Sequence, residues 1–256
     1  MEILISFILP FVLLLTVVVF IHEYGHYYFA RKYGVGVTDF SIGFGKELFG
    51  FNDKSGTRWK FCAIPLGGYV KFFGDRNVFS QAEQDELLKE YSEEDQKKLF
   101  VVKPIYQRSL IVAAGPFANF ILAILIFSFI YMFAGKDFTP AQIQEVQQDG
   151  PAFVAGIKNG DIISSIDNNK VNSIMEVSTF INASTNDQIN IEVLRNEEPL
   201  TFLVMPKSFE GKDTLGNKVS KKIIGIKISP PNNEINRERL GPASALFYAV
   251  KETYFV

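Results

Sequence analysis

Two histidines and a glutamate have a spacing that suits metal chemistry. Residues 22–26 read His-Glu-Tyr-Gly-His. On a helix, positions four apart share a face, so His22 and His26 could reach one metal ion. Glu23 is adjacent and could take a proton from a water molecule that the metal activates. Zinc suits such a site because imidazole is a good zinc ligand and zinc has no redox chemistry. The motif therefore predicts a hydrolytic zinc site, against the alternative of two incidental histidines near a membrane boundary.

The helix that must carry this motif is apolar. Residues 3–21 are nineteen residues without a charge, and in a helix they span about 28 Å, roughly the core of a bilayer. A secretory signal peptide is the alternative, but no Lys or Arg precedes the run and no small-x-small cleavage site follows it. We expect a membrane helix that continues through the motif and ends near Gly34 and Gly36.

A second apolar run predicts a second membrane helix. Residues 109–134 are 26 residues without a charge, bracketed by Arg108 and Lys136. Pro116 and Asn119 lie inside the run, and a helix bundle tolerates both where neighbours satisfy the polar groups. A buried helix of a soluble protein is the alternative, but the run is longer than such a core usually provides.

Basic residues near the membrane ends predict the orientation. They flank the segment between the two runs, whereas Lys136 is the only one nearby after the second run. We therefore expect residues 31–108 to be cytoplasmic, and the N-terminus and everything after Lys136 to be extracytoplasmic. The flanking residues are Arg31, Lys32, Lys103 and Arg108.

The remaining segments differ in character. Residues 36–76 are rich in glycine and aromatic residues, and 58–70 suggest strands broken at a proline and a glycine pair. Residues 80–98 are strongly charged and predict a solvated helix or a mobile surface connector. Residues 140–230 predict a small, partly open β-barrel or sandwich of five short strands, with a helix near 174–181. The expected strands are 143–146, 161–166, 189–194, 201–205 and 223–228.

Composition excludes several classes of function. A formal net charge of −2 argues against a nucleic-acid partner, because binding phosphate needs a basic face. The single cysteine, Cys62, excludes an intrachain disulfide and a cysteine-rich zinc cluster. With 47% hydrophobic residues and a mean hydropathy of +0.11, a plain soluble globule is not expected.

Several motifs along nearly the whole chain occur together in one known family. They are H-E-x-x-H at 22–26, a G-x-G segment at 40–46, a Pro-Leu-Gly-Gly loop at 64–71, G-P-x-x-N-F at 115–120, and Gly-Pro-Ala and Gly-Asp-Ile-Ile within 150–167. With these motifs the sequence resembles the site-2 protease family of intramembrane zinc metalloproteases. It is most similar to the bacterial branch that includes regulator of sigma-E protease.

The resemblance implies a fold class and a domain order. The protein would be a polytopic α-helical membrane protein with an extracytoplasmic, β-rich PDZ domain, and two transmembrane helices would fall within this chain. The implied segments are 1–34 (first transmembrane helix with the H-E-x-x-H motif), 35–104 (cytoplasmic loop with a membrane-associated β-hairpin and a charged helix), 105–135 (second transmembrane helix), 138–230 (PDZ-like domain) and 231–256 (leading to a further membrane helix).

The resemblance also implies an activity. A multi-pass protein of the bacterial inner membrane would cleave a transmembrane segment of single-span membrane proteins, with Zn²⁺ held by His22 and His26 and with Glu23 as general base. Because a helical substrate hides its amides, an edge strand within 58–71 would pair with the opened substrate; an ordinary surface hairpin is the alternative. The residues implied in substrate presentation are Gly43, Gly45, Gly67, Gly68 and Asn119.

Two further roles follow from the same resemblance. A peptide or protein partner would bind the PDZ-like domain. Its candidate binding loop is Ile224-Gly225-Ile226, and the alternative is that these residues form an ordinary strand.

The family takes a third zinc ligand from an Asp in a Leu-Asp-Gly motif on a later helix, and these 256 residues contain no such motif. The sequence is therefore expected to be the N-terminal part of a longer protease, binding zinc weakly by itself.

Two other functions remain open at this point. A membrane-anchored PDZ adaptor without protease activity would keep the scaffold and bind peptides through 140–230. A transporter or lipid-cofactor role for the polar groups of the second apolar run is the other alternative. Against it, Asn119 is expected to make an interhelical hydrogen bond or to be part of the substrate-facing cleft.

Overall fold

A computed structural model describes residues 4–75, 88–212 and 217–255 of the chain. Two compact units are present, Met1–Ile126 and Phe127–Val256. Each unit is described by itself below.

The helices and strands have the following bounds. A π-helical turn at Leu4–Ile8 leads into α1 (Leu9–Lys32), and α2 (Glu93–Gln96), α3 (Ile105–Phe133), α4 (Pro151–Ala155), α5 (Ile174–Ala183), a 3₁₀ turn at Pro231–Asn233 and α6 (Pro242–Phe255) follow. The strands are β1 (Val37–Asn52), β2 (Arg58–Phe72), β3 (Lys136–Asp137), β4 (Ala141–Val146), β5 (Ile162–Ile166), β6 (Asn169–Lys170), β7 (Ile189–Arg195), β8 (Glu198–Val204), β9 (Lys207–Lys212), β10 (Lys218–Ile223), β11 (Ile226–Ser229) and β12 (Arg237–Glu238).

The helices α1 and α3 have the length and composition of membrane spans. The stretches Ile5–Lys32 and Ile105–Phe133 are each apolar enough to cross a bilayer. As predicted, α1 ends before Gly34, which has the left-handed φ of +69° that favours glycine after a helix. The helix α6 comprises 14 residues, Pro242–Phe255.

Small residues let α1 and α3 approach closely. A Cβ atom on Gly25 would collide with the backbone carbonyl of Ala114 and would lie 3.0 Å from the Cβ of Ala118. Association of helices in lipid depends on such close backbone packing, because lipid tails are as apolar as the side chains. Gly25, the fourth residue of the H-E-x-x-H motif, therefore fixes how near the motif lies to α3.

The strands β1 and β2 bend and pair with each other more than once. Residues 58–61 pair with 49–52 and also with 39–42, and 39–42 pair in addition with 68–71. The two strands thus supply four segments, with 64–72 at one edge. In the described part of the chain, no strand pairs with the other side of that edge.

The second unit is built around one open sheet. Its strands follow the order β11-β4-β5-β7-β8, and β6 pairs with β5. The five predicted strands are present, and so is the predicted helix, at 174–183. The sequence left a partly open barrel and a sandwich as alternatives, and the strands instead form one open sheet. The hairpin of β9 and β10 was not predicted.

Part of the predicted charged connector lies outside the described residues. The connector was predicted over residues 80–98, and its first eight residues, 80–87, are not among the described ones. Within the remainder, the four residues of α2 are capped by Ser92, whose hydroxyl accepts a hydrogen bond from the Asp95 amide at 3.3 Å. A long solvated helix is therefore not seen between 88 and 98.

Candidate metal centre

The two imidazoles of the motif lie side by side on α1. The ring centroids of His22 and His26 are 4.9 Å apart, and the rings are inclined by 76°. This is the arrangement that a spacing of four on an unbroken helix predicts. Both side chains are partly buried.

A glycine of α3 leaves the space in front of both rings open. A Cβ atom on Gly115 would collide with Nε2 of His26 and would lie 2.7 Å from Nε2 of His22. Both Nε2 atoms therefore converge on one small volume that a side chain at position 115 would fill. A zinc ion at about 2.0–2.1 Å from each nitrogen needs such a volume.

The opposite nitrogen of each ring contacts α3. Nδ1 of His26 lies 2.7 Å from the carbonyl oxygen of Ile111, and Nδ1 of His22 lies 3.2 Å from the side-chain amide of Asn119. A carbonyl can only accept, so His26 carries its proton on Nδ1 and its Nε2 lone pair is available to a metal. The donor set of two neutral imidazoles suits zinc.

These two nitrogens do not complete a catalytic site. A catalytic zinc takes three protein ligands and leaves one position open. Among residues 4–75, 88–212 and 217–255, no group of three or more His, Cys, Asp and Glu side chains is placed to hold a metal.

The outer segment of β2 crosses α1 beside Glu23. A Cβ atom on Gly68 would lie 3.4 Å from Cγ of Glu23, 3.0 Å from a methyl group of Val19 and 2.6 Å from the backbone oxygen of Ser41. Only a glycine permits this close approach of strand and helix. The unpaired edge at 64–72 therefore runs past the carboxylate of the motif.

The other glycines implied in substrate presentation shape the same sheet. Gly43 and Gly45 have φ values of +86° and +83°, in the left-handed region that favours glycine, where β1 bends. A Cβ atom on Gly67 would collide with the ring of Phe44. Asn119 does not lie with them, because it is on α3 beside His22.

A partly buried hydrogen-bond cluster fixes the sheet to α1. Asp53 accepts hydrogen bonds from the Tyr27 hydroxyl at 2.7 Å and from the Trp59 indole at 3.1 Å. It also accepts from the backbone N–H groups of Ser55 and Thr57, at 2.8 and 3.0 Å. Burial raises the pKa of the Asp53 carboxyl, but these hydrogen bonds outweigh it and hold the pKa below its usual value. The cluster keeps the sheet in place over the motif helix.

Two aspartates of the second unit have hydrogen-bond partners within that unit. The side chain of Asp161 is 1% exposed and binds Arg195 through two hydrogen bonds of 2.7 and 2.8 Å. Asp137 accepts hydrogen bonds from the backbone and hydroxyl of Thr139. Both act in the structure of the second unit.

Two features of the site were not identified from the sequence. Gly115 was noted only as part of a motif, and the carbonyl of Ile111 has no signature in the sequence. The spacing of 111, 115 and 119 by four residues was the available signal, since it places all three on one face of α3.

Comparison with known protein families gives one match that covers most of the chain. The profile of peptidase family M50 matches residues 10–254. The chain belongs to peptidase family M50. The predicted resemblance, the enzyme class and the zinc cofactor are therefore confirmed at the level of the family, which consists of zinc metalloproteases.

Two relatives show how far the similarity of this M50 chain extends. It is 43% identical to “Putative zinc metalloprotease mll0638” of Mesorhizobium japonicum over 96% of this chain and 67% of that one. It is 36% identical to “Metalloprotease MmpA” of Caulobacter vibrioides over 84% of this chain and 56% of that one. The chain thus spans about two thirds or less of the length of these relatives.

A solved structure is similar to part of the chain. The PDZ domain of the SdrC-like protein from Listeria monocytogenes is 22% identical, with a TM-score of 0.28, over 36% of this chain and 88% of that one. A likeness at this score supports no further conclusion, so the PDZ-like character of 138–230 stays a prediction. Family membership and the two apolar helices indicate association with a membrane.

Proposed function

We propose that this M50 protein is an intramembrane zinc endopeptidase that cleaves a transmembrane segment of single-span membrane proteins. It would be a multi-pass protein of the bacterial inner membrane, with the metal centre near the cytoplasmic side and residues 138–230 outside the cytoplasm. The observation that carries the proposal is the convergence of two Nε2 atoms on one volume, beside a glutamate, on a helix long and apolar enough to span a bilayer.

The residues of the motif divide the chemistry between them. Zinc, when bound, lowers the pKa of a water molecule towards 7 and polarises a carbonyl group. His22 and His26 hold the metal through Nε2, while the contacts of their Nδ1 atoms fix the planes of the rings. Glu23 takes a proton from the attacking water and can pass it to the amide nitrogen that leaves.

The sheet of β1 and β2 would present the substrate. A substrate helix satisfies its own amides, so its backbone must be opened before attack. The unpaired edge at 64–72 could pair with the opened segment as an added strand and so hold it beside Glu23. Large apolar side chains such as Leu48 and Leu66, which are 70% and 57% exposed, would place this sheet in the membrane surface.

The second unit would bind a peptide in the same manner. The strand β11 lies at the end of its sheet, paired on one side with β4. The turn before it contains Gly225, whose φ is +76°. A peptide could add beside β11, which would make residues 138–230 a filter for substrates or partners outside the membrane.

The experiment uses the full-length protein, purified and reconstituted into vesicles with a single-span reporter substrate. We expect Glu23→Gln to lower the rate of cleavage by about 100- to 10,000-fold, because it removes the general base. Zinc content should stay unchanged, because the substitution leaves both imidazoles in place.

The matched control is Glu93→Gln, which makes the same chemical change on the exposed helix α2 and should cleave at the normal rate. Cleavage that persists in Glu23→Gln, or that the wild-type protein lacks, would instead favour a membrane-anchored adaptor.

A further inference from the structure

Resting on the proposed zinc site, we infer that Asn119 is a positioning residue for His22. Its side-chain oxygen accepts a hydrogen bond from Nδ1–H of that ring and thereby keeps the Nε2 lone pair on the metal side. This differs from the role in substrate presentation that the sequence suggested.

The geometry brings one polar group of α3 to each histidine of α1. Ile111, Gly115 and Asn119 follow one another at intervals of four on α3, so they share a face. The first contacts Nδ1 of His26, the second lies before both Nε2 atoms, and the third contacts Nδ1 of His22. This single face of α3 therefore contacts both nitrogens of both rings.

The contact at His26 defines what His22 requires. The Ile111 carbonyl oxygen, 2.7 Å from Nδ1, is an acceptor only, so the proton of the neutral His26 ring must be on Nδ1. Two histidines that bind one ion through Nε2 must both carry the proton on Nδ1. His22 therefore needs an acceptor at the position where Asn119 lies.

Asn119 has an oxygen available for this role. Its Oδ1 atom is buried and has no hydrogen-bond partner among the described residues, whereas Nδ2 lies 3.2 Å from Nδ1 of His22. The two ends of an amide have the same shape, so a half-turn exchanges them without moving other atoms. The turned amide pairs Oδ1 with Nδ1–H, and its N–H₂ group then faces the buried position that the oxygen leaves.

An amide suits this position better than a charged acceptor would. The run 109–134 contains no charged side chain, and a carboxylate in a membrane span is costly. An asparagine supplies a neutral acceptor that needs no counter-ion. Its place on the same helix as the Ile111 carbonyl lets one rigid element orient both ligands.

The test reads the position of the ring protons directly. The sequence contains only two histidines, so selective ¹⁵N labelling of histidine gives four ring-nitrogen signals. In the metal-free chain, at a pH where both rings are neutral, we expect both rings to carry the proton on Nδ1. In Asn119→Leu, His22 should move towards the Nε2–H form, while His26 should keep its proton on Nδ1.

Three comparisons make the result decisive. Asn119→Asp keeps an acceptor and should retain the Nδ1–H form of His22. Ser128→Ala removes a buried hydroxyl that has no described partner, nine residues further along α3, and should leave all four signals unchanged. If Asn119→Leu also disturbs His26, the test uses Asn119→Ala, which only removes the amide. In that variant too, His22 should move towards the Nε2–H form while His26 keeps its proton on Nδ1.

A second readout uses zinc alone in the full-length protein. Competition with a zinc-binding dye should show a dissociation constant about 10- to 100-fold higher for Asn119→Leu than for wild type, with no change for Ser128→Ala. An unchanged His22 tautomer in the leucine or alanine variant would overturn the inference. Absence of cleavage by the wild-type protein in the vesicle experiment, with the ring-nitrogen signals as expected, would count against the proposed function instead.

Discussion

The two main sheets of the molecule differ in how far they bury their apolar side chains. In the sheet of β1 and β2, Leu48 and Leu66 are 70% and 57% exposed. In the sheet of the second unit, Ile189, Ile191 and Val193 are fully buried. Burial stabilises by about 25 cal/mol per Å² of apolar surface. The buried face of the second sheet thus obtains its stabilisation from its own chain, whereas the first sheet leaves these two large apolar side chains exposed.

The same difference holds for the polar groups. The Asp161 carboxylate in the second unit is paired by Arg195 within the fold. The two histidines in the first unit direct Nε2 atoms towards an open volume before Gly115. The carboxylate of Asp161 is therefore satisfied within its own unit, whereas the two imidazoles of the first unit are placed so that they could hold a metal.

The largest effect should come from breaking the ion pair of Asp161 and Arg195 in the second unit. Asp161 is buried and Arg195 is partly exposed, and Asp161→Asn removes charge-assisted hydrogen bonds between them, which should cost about 2–3 kcal/mol. Hydrogen exchange of the full chain should show reduced protection in β5 and β7 and unchanged protection in α1 and β1. The exposed Asp187→Asn is the control; equal loss of protection in both units would contradict the separation of the two.

A smaller loss is expected around Lys136. Its side chain is 7% exposed and lies 3.1 Å from Glu252 and 3.7 Å from Glu176. Lys136→Met leaves two carboxylates without their cation and should cost about 2 kcal/mol, seen as faster proteolysis of α6. Adding Glu252→Gln should recover part of the loss, whereas a double variant as unstable as the sum of both changes would show that the lysine does not pair there.

A change in the first sheet should reduce activity without reducing the stability of the second. Gly68→Val would push β2 away from Val19 and Glu23, and displacement of a substrate by about 1 Å can cost 100-fold in rate. Cleavage of a reporter in vesicles measures the loss. Gly241→Ala, at a glycine with nothing within 4 Å of its would-be Cβ, should cleave normally. Normal cleavage by Gly68→Val would separate the edge at 64–72 from catalysis.

The acid dependence of the second unit follows from Asp161. Burial raises the pKa of this carboxyl, but the hydrogen bonds from Arg195 outweigh burial and leave the pKa below its usual value. A lowered pKa in the folded state gives stability that is full above the unfolded value, about 3.9, and is lost as the pH falls through the folded pKa. Urea unfolding at pH 3 and pH 6 should show this loss in wild type and a smaller one in Asp161→Asn.

The sequence predicted the elements more reliably than their contacts. Apolar runs without charge gave α1 and α3, and alternating runs gave β4, β5, β7, β8 and β11, because local periodicity determines these elements. The repeated pairing of residues 58–61 was not predictable, since it depends on bends at Gly43 and Gly45 that change the register.

The site shows the same limit. Spacing alone placed His22 and His26 together, because one helix turn joins them. The partners on α3 could not be found in this way, since contacts across 85 and 97 residues depend on how the two helices pack. The contact of Asn119 with His22 is one that depends on this packing.

The smallest effect concerns only the environment of a surface side chain. Leu48 and Leu203 are 70% and 58% exposed, one in each sheet. With Cys62 replaced by serine, a fluorophore on Leu48→Cys should be quenched by lipid-borne quenchers, and one on Leu203→Cys should not be. Equal quenching at both positions would remove the distinction between the sheets.

The zinc content of the full-length protein tests the central claim most directly. Elemental analysis should find about one zinc ion per chain in wild type and in Glu23→Gln, and close to none in His22→Ala or His26→Ala. A double His22→Ala, His26→Ala variant that keeps its zinc while remaining folded would contradict the claim that these two imidazoles hold the metal.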